Sequence, residues 1–487
     1  MNNKTSAVNS ALSLDRRRWL MRSSAGLAGA LGVGTAGNLL LGTQRAYAAD
    51  YQALVCIFLY GGNDGLNTIV PGDTARYNQY AAVRKSLALP SGSLLPIAGT
   101  GFGMHPALQG LSAAAADGKL APVFNLGTLY KPMSKAEFRA EPDSSTKIPA
   151  NLFSHSDQQI EWETGSTSAL TRSGWGGRAS AALQTANPVI SVAGSTRFGL
   201  TDTLSPLVLP DTPGEIFGAS VLAPEQQQFA PNVLRKNALD ALYAAGQETD
   251  LSEAYATAQR NAFSVSERLG GLVKIVPGGA GAIAAIDTAF APLISSGRLT
   301  TGLGKQLYQI AKLVSGSATV GGNRQMFFAH LDGFDNHANQ VVAGAPTTGT
   351  HATLLKELGD ALGAFYAAMK ALGLSDAVTA FTQSDFGRTF TPNNSTGTDH
   401  AWGNTHLVLG GAVKGGQGYG SYPDLVLGGN NDVGVDSWEL QGRWIPTTSV
   451  DQYAATLLGW FGATDPQLDA VLPNLVNFGT NRKLGFL

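Results

Sequence analysis

The sequence predicts a mixed α/β domain built on a mainly parallel sheet, and two observations carry the prediction. Short, almost wholly apolar runs ("ALVCIFLY", "APVFNLG", "QMFFAHL", "AVTAFTQS") read as strands buried on both faces. Helical patterns separate several of them, which is βαβ organisation. A chain of 487 residues with 44% hydrophobic content can bury a large core, and its 60 glycines point to many tight turns rather than a helical bundle.

The first 48 residues stand apart from the fold. "DRRRWLM" (Asp15 to Met21) precedes a glycine-broken apolar run from Ala25 to Leu41 that leads to "AYA" at Ala46 to Ala48. That order is expected of a twin-arginine export signal cleaved before Ala49, with the translocase as a transient partner and the periplasm or exterior as destination. The run is too short and too rich in glycine for a stable membrane span. The other reading is a basic amphipathic anchor that stays attached. Residues 1–48 hold six basic groups and one acid, so their removal leaves 27 basic and 34 acidic residues, a net charge of −7. Such a chain is no partner for nucleic acid. Cys56 is the only cysteine and sits in "LVCIFLY", which excludes an internal disulfide and predicts a buried small apolar side chain.

From Ala53 onward "ALVCIFLYGGNDGLN" reads as a strand, a Gly-Gly turn and an acidic loop at the strand's carboxyl end, with Asp64 in the loop. A helix is expected from about Thr74 to Lys85. "GMHPALQGLSAAAADGKLAPVFNLG" then reads as helix, turn and second strand. Residues 150–178 are polar and glycine-punctuated ("SHSDQQIEWETG", "GWGGR"), "NPVISVAG" is strand-like, and residues from about 230 to 315 form a largely helical insertion. Strands return at "QMFFAHLD" and "AVTAFTQSD", separated by a helix from about Thr353 to Leu372. "TTSVDQYAATLLGWFG" is a capped closing helix.

Three of these strands end in acids, at Asp64, at Asp332 and Asp335, and at Asp385. In a parallel sheet those ends share one edge, where clustered carboxylates repel unless a cation lies among them. Asp335 and His337 are two apart, which puts both side chains on one side of an extended segment and suits a mixed O/N site for Zn²⁺, Mn²⁺ or a similar ion. His400, in "GTDHAWGN", is a further candidate ligand. Any single Asp, taken alone, reads as a turn or helix cap before it reads as a ligand, and the metal reading rests on their recurrence.

The blocks "GGNDGLN", "SHSDQQIEWETG", "DGFDNH", "SDFGRT" and "GTDHAWGN…GGAVKGG", in this order, resemble the bacterial family known as domain of unknown function 1501, over Tyr51 to Phe478. That family is regarded as a branch of the alkaline phosphatase and sulfatase superfamily. The resemblance implies an alkaline-phosphatase-like three-layer α/β/α fold over residues 49–487 and a divalent-metal site (Zn²⁺, Mn²⁺, Ca²⁺ or Mg²⁺) at the sheet edge. It further implies Asp64 and Asp385 as metal ligands, Asp335 and His337 as the Asp and His of the other metal position, and His400 as the late His ligand. Two departures stand out. Phe386 replaces the His that usually follows Asp385, which puts a dinuclear site in doubt. His155 stands nine residues before Thr164, where the superfamily places its nucleophile, with Ser154 and Ser156 on either side. His155 is open to four roles: nucleophile, general base for water, metal ligand, or inert hydrogen-bonding group. Arg388 can pair with a phosphate or sulfate or serve as a surface salt-bridge residue, and Lys414 can add a point charge. His105 reads as a cap or packing residue at a helix start and His330 as a core histidine. His351 and His406 carry little signal.

The function expected from this is an exported, metal-dependent hydrolase of phosphate or sulfate esters, small or glycan-borne, using activated water or assisted by His155. Its rivals are a catalytically inactive envelope protein that retains the metal and binds anionic glycans, and an assembly partner with no metal.

Overall fold

The computed structural model describes residues 50–142, 145–215, 223–246 and 249–487. The expected export signal within residues 1–48 lies outside them. One eight-stranded sheet organises the chain. Its strands in chain order are β1 (Gln52–Leu59), β2 (Leu120–Gly127), β3 (Ile190–Ser191), β4 (Leu207–Val208), β5 (Arg324–Leu331), β6 (Val378–Ser384), β7 (Asn404–Gly410) and β8 (Thr448–Ser449). They lie side by side as β8-β2-β7-β6-β1-β5-β3-β4. β1 pairs in parallel with β5 and β6, β5 with β3, β3 with β4, and β8 with β2, whereas β7 runs antiparallel between β6 and β2. The sheet is therefore mainly parallel, with one reversed strand that the sequence pattern did not announce.

The apolar run of β1 is continuous because both of its faces are covered. Ala53, Val55, Ile57 and Leu59 join one buried cluster with Leu307 and Ile310 of one helix and Leu358 and Leu362 of another. The alternate residues Leu54, Cys56 and Phe58 join a second cluster with Trp162, Trp175, Tyr453 and Leu457. The period-two alternation of a strand thus feeds two cores, and the result is a three-layer α/β/α sandwich. Cys56 is buried there as expected, its thiol pushed well up by burial.

The helices used below are α1 (Thr74–Arg84), α2 (His155–Thr164), α3 (Trp175–Leu183), α4 (Ala230–Ala244), α5 (Asp250–Val273), α6 (Gly302–Ser315), α7 (Thr350–Ala371) and α8 (Val450–Trp460). α6 and α7 cover one face of the sheet and α2, α3 and α8 the other. The segment expected to be a helical insertion holds α4, α5 and α6, interrupted by a two-stranded ribbon, Ile294–Ser295 with Arg298–Leu299. α8 starts with a capping box in which Ser449 and Gln452 satisfy each other's backbone N–H groups. The strand-like "NPVISVAG" yields only the two residues of β3, which pair with β5 on one side and β4 on the other. Among the described residues no helix is long and apolar enough to cross a membrane.

Candidate metal centre

β1, β5 and β6 end at the same level: Leu59 lies opposite Leu331 on one side and opposite Ser384 on the other. Their following loops therefore meet at one edge, the usual place for a site in a parallel sheet. Gly61 lets them approach. It has φ +109°, and a Cβ there would stand 2.4 Å from the Asp335 nitrogen, so any side chain would push the first loop off the second.

Four side chains converge at this edge. The Nε2 atoms of His155, His337 and His400 lie 3.3, 3.1 and 3.4 Å from one atom, Asp335 Oδ1. The His337 and His400 Nε2 atoms are themselves 2.8 Å apart. Donor atoms of His155, Asp335 and His400 all fall within 4.8 Å of one another, and His337 joins through its contacts with Asp335 and His400. Asp335 and His337 are 49% and 44% exposed, so the cluster opens to solvent.

Each imidazole is held from behind. His155 Nδ1 donates to Asp385 Oδ2 at 2.6 Å, His337 Nδ1 to Asp399 Oδ1 at 2.9 Å, and His400 Nδ1 to the Phe153 carbonyl at 2.7 Å. A carbonyl only accepts, so the proton of neutral His400 sits on Nδ1; the carboxylates impose the same tautomer on the other two. All three rings then present a bare Nε2 lone pair toward Asp335. Two such lone pairs at 2.8 Å repel unless a proton or cation lies between them. His155 Nε2 is buried and, among the described residues, lacks a hydrogen-bond partner. A lone orphaned nitrogen is costly, and imidazoles backed by carboxylate or carbonyl with free Nε2 atoms are what zinc-binding histidines look like.

The spacing agrees with a metal. Tetrahedral ligands at about 2.0–2.1 Å from an ion lie roughly 3.3–3.4 Å from each other. The His155 and His400 contacts with Asp335, at 3.3 and 3.4 Å, have that length, whereas the His337 contacts with Asp335 and His400, at 3.1 and 2.8 Å, are shorter. The residues present therefore fit one divalent cation. A nitrogen-rich set suits Zn²⁺ or Mn²⁺ better than Ca²⁺ or Mg²⁺, which favour oxygen.

Electrostatics divide the cluster. The hydrogen bond that His155 donates to Asp385 raises the pKa of His155 against the opposing effect of burial. Burial lowers that of His400, with the Phe153 carbonyl working the other way. For Asp335, burial acts to raise the carboxyl, but Arg388, His155 and His337 outweigh it and hold it at about 2. Asp399 is likewise lowered, burial being overcome by His337 and Asn393.

The remaining expected site residues land elsewhere or in other roles. Asp64 is a correction: it is 2% exposed, both its oxygens are taken by Arg84 at 2.8 and 2.6 Å, and Gln340 donates to it at 2.6 Å. No cluster residue is among its described partners. Asp385 is drawn into the site but behind it, accepting from His155, from Gln159 at 2.9 Å and from the Gly61 N–H at 3.1 Å, so it orients His155. Arg388 is not a surface cation. It donates to Asp335 at 2.6 Å and to the carbonyls of Gly61, Gly62, Phe334 and Thr398, clamping three loops with every nitrogen committed. Phe386 is a wall, its ring centroid 4.7 Å from that of His155 and 4.6 Å from that of His400. Ser154 and Ser156 bond to each other at 3.1 Å, and among the described residues neither has an imidazole partner. Lys414 reaches the carbonyl of Leu487, and His105 caps a helical turn by accepting the Ala107 N–H, as its position suggested.

Asp399, Gln159 and the Phe153 carbonyl were not foreseen. Asp399 adjoins His400 in the quoted block, and Gln159 stands one helical turn after His155 on the same face, so both carried a positional signal. The carbonyl carried none.

α2, which bears His155, is anchored by buried acids. Glu163 accepts from Tyr60, Thr196 and the Phe198 N–H, and Glu161 from the Ala150 N–H at 2.7 Å and from Gln158 at 2.8 Å. Burial pushes the Glu161 carboxyl up to about 8, with those hydrogen bonds opposing it. An unfolded glutamate titrates near about 4.3, so between about pH 4 and 8 the folded state keeps a proton that the unfolded state releases. Stability from this residue is full at the acid end and is lost as pH rises toward 8. Glu161→Gln should flatten that slope, giving a higher melting temperature than wild type at about pH 8 and little difference near about pH 5. Parallel pH profiles for the two proteins would contradict it.

Residues 51–436 match the family model described as "Protein of unknown function (DUF1501)". No curated protein matches the chain.

Proposed function

The chain belongs to the DUF1501 family, and from that premise we propose that it is a metal-dependent hydrolase of phosphate or sulfate esters, with one divalent cation held by His155, His337, His400 and Asp335. The observation that carries the reading is the buried, unpartnered Nε2 of His155 aimed at a carboxylate that two further imidazoles also approach. Bound there, the ion would supply polarisation of an ester oxygen and activation of water. The chain's own residues do the rest. Asp385, Asp399 and the Phe153 carbonyl hold the imidazole protons on Nδ1, and Arg388 keeps Asp335 ionised and fixed. Phe386 fills the space beside His155 and His400 with a ring that cannot ligate, which favours a single ion over a pair. The serines flanking His155 lack a base, which favours water over a serine as the attacking group. We also propose export by the twin-arginine route, on Arg16, Arg17 and the Ala-Tyr-Ala end.

The test is turnover of aryl phosphates and aryl sulfates by protein loaded with Zn²⁺ or Mn²⁺, expected to stop with chelator and return with metal. Stoichiometric metal without turnover would replace the hydrolase by a metal-retaining protein that binds anionic glycans. Turnover unaffected by chelator would overturn the reading.

A further inference from the structure

With every Arg388 nitrogen committed to the protein, another group must meet the anion of an ester. Arg443 is placed to do so. Its Nε donates to the carbonyl of His400 at 2.9 Å, and its guanidinium carbon lies 4.9 Å from the centre of the Phe153 ring. Phe153 is also the residue whose carbonyl holds the His400 imidazole. One residue thus carries a cluster histidine on its backbone and the guanidinium on its ring. The Arg443 N–H is fixed by Asp432 at 3.2 Å, so the backbone beneath the side chain is anchored. Among the described residues the two Nη atoms have no hydrogen-bond or ion-pair partner, and the residue is only half-buried. A planar fork with both outer nitrogens free, held by stacking and one Nε bond, is preorganised for a tetrahedral oxyanion.

Charge makes this capacity conditional. Around the imidazoles and the two guanidinium groups, Arg388 and Arg443, stand four carboxylates, Asp335, Asp385, Asp399 and Asp432, while Glu439 pairs with Arg139. With neutral imidazoles the neighbourhood carries two net negative charges, which repel an anion, and none once a divalent cation is held. We infer that Arg443 is the anion-binding residue of this site, receiving the phosphate or sulfate group through its free Nη atoms, and that it does so only when the cation is present. The inference rests on the metal reading above, and reciprocity requires that phosphate tighten metal binding by the same factor.

The test titrates inorganic phosphate into the full chain by calorimetry, metal-free and metal-loaded, with metal content measured on each sample. Loaded wild type should bind phosphate at least about tenfold more tightly than metal-free wild type, and loaded Arg443→Gln about tenfold more weakly than loaded wild type at unchanged metal content. Arg443→Lys, which keeps the charge without the fork, should fall between. Phe153→Leu removes the ring but not the carbonyl and should weaken phosphate binding several-fold, which keeps the inference testable if Arg443→Gln does not fold. Equal phosphate affinity in Arg443→Gln and wild type, both holding metal, would overturn the role of Arg443 and leave the metal centre standing. Equal affinity with and without metal would overturn the charge linkage. A wild type that takes no metal would overturn the centre itself.

Discussion

Asp64→Ala should destabilise the metal-free protein by about 3–5 kcal/mol, the cost of stripping one partner from a buried ion pair. Asp64 and Arg84 are 2% and 0% exposed and meet through two bonds of 2.8 and 2.6 Å. Burial acts to raise the Asp64 carboxyl, but Arg84, His351 and Gln340 outweigh it and hold it below its ordinary value. Among the described residues Arg84 has no second acid as a partner, and its Nε already lacks one. The variant would therefore leave a guanidinium unpaired in the core. Gln340, which donates to Asp64 at 2.6 Å and accepts from Thr398 at 2.7 Å, ties the loop of His337 to that of His400, so a weaker metal affinity should follow as a secondary effect. The sign of the main effect separates two readings of this acid. A metal ligand would be dispensable for the stability of metal-free protein; a structural partner of Arg84 would not. Denaturant titration of metal-free wild type and Asp64→Ala decides it, and a loss below about 1 kcal/mol would restore the ligand reading. The double replacement Asp64→Leu with Arg84→Met should recover much of the loss, because neither charge is then left alone.

Asp385→Asn should lower metal affinity by about 10–100-fold, the range for a residue that orients a metal-binding histidine. The amide can still accept the Gly61 N–H, but it can present an N–H to His155 Nδ1 where the carboxylate accepted one. That moves the imidazole proton to Nε2, the nitrogen needed as a ligand. His155→Ala should cost at least about 100-fold, since the donor itself is gone. The combination of the two distinguishes orientation from ligation. If Asp385 acts through His155, the double variant is no worse than His155→Ala alone; if it binds the ion directly, the losses add. Competition against a chromophoric chelator measures all three.

The strands were legible because a parallel sheet between helix layers needs unbroken apolar runs, and β1, β2, β5 and β6 have them. The edge was legible too, since acids recur where those runs stop. The fate of each acid was not. Asp64 and Asp335 follow their strands in the same manner, yet one meets Arg84 twenty residues on and the other meets imidazoles from three separate segments. Local pattern places a carboxylate at the edge, and only tertiary neighbours decide whether it faces a guanidinium of the chain or a group of imidazoles. The same holds for Arg388, whose position resembles that of a substrate-binding cation but whose donors are consumed by five acceptors at the loop crossing. His155 was the residue with most roles open. Its bond to Asp385, its partnerless Nε2 among the described residues and the closeness of His400 are the observations that support the proposed ligand role.

Whether three imidazoles and one carboxylate share a cation is decided most directly by equilibrium dialysis of the full chain against Zn²⁺ or Mn²⁺, followed by elemental analysis and X-ray absorption at the metal edge. The expected result is one ion per chain in a shell dominated by imidazole nitrogen with a carboxylate oxygen, lost together with His155 or His400. No stoichiometric ion, or a shell made of oxygen alone, would contradict it.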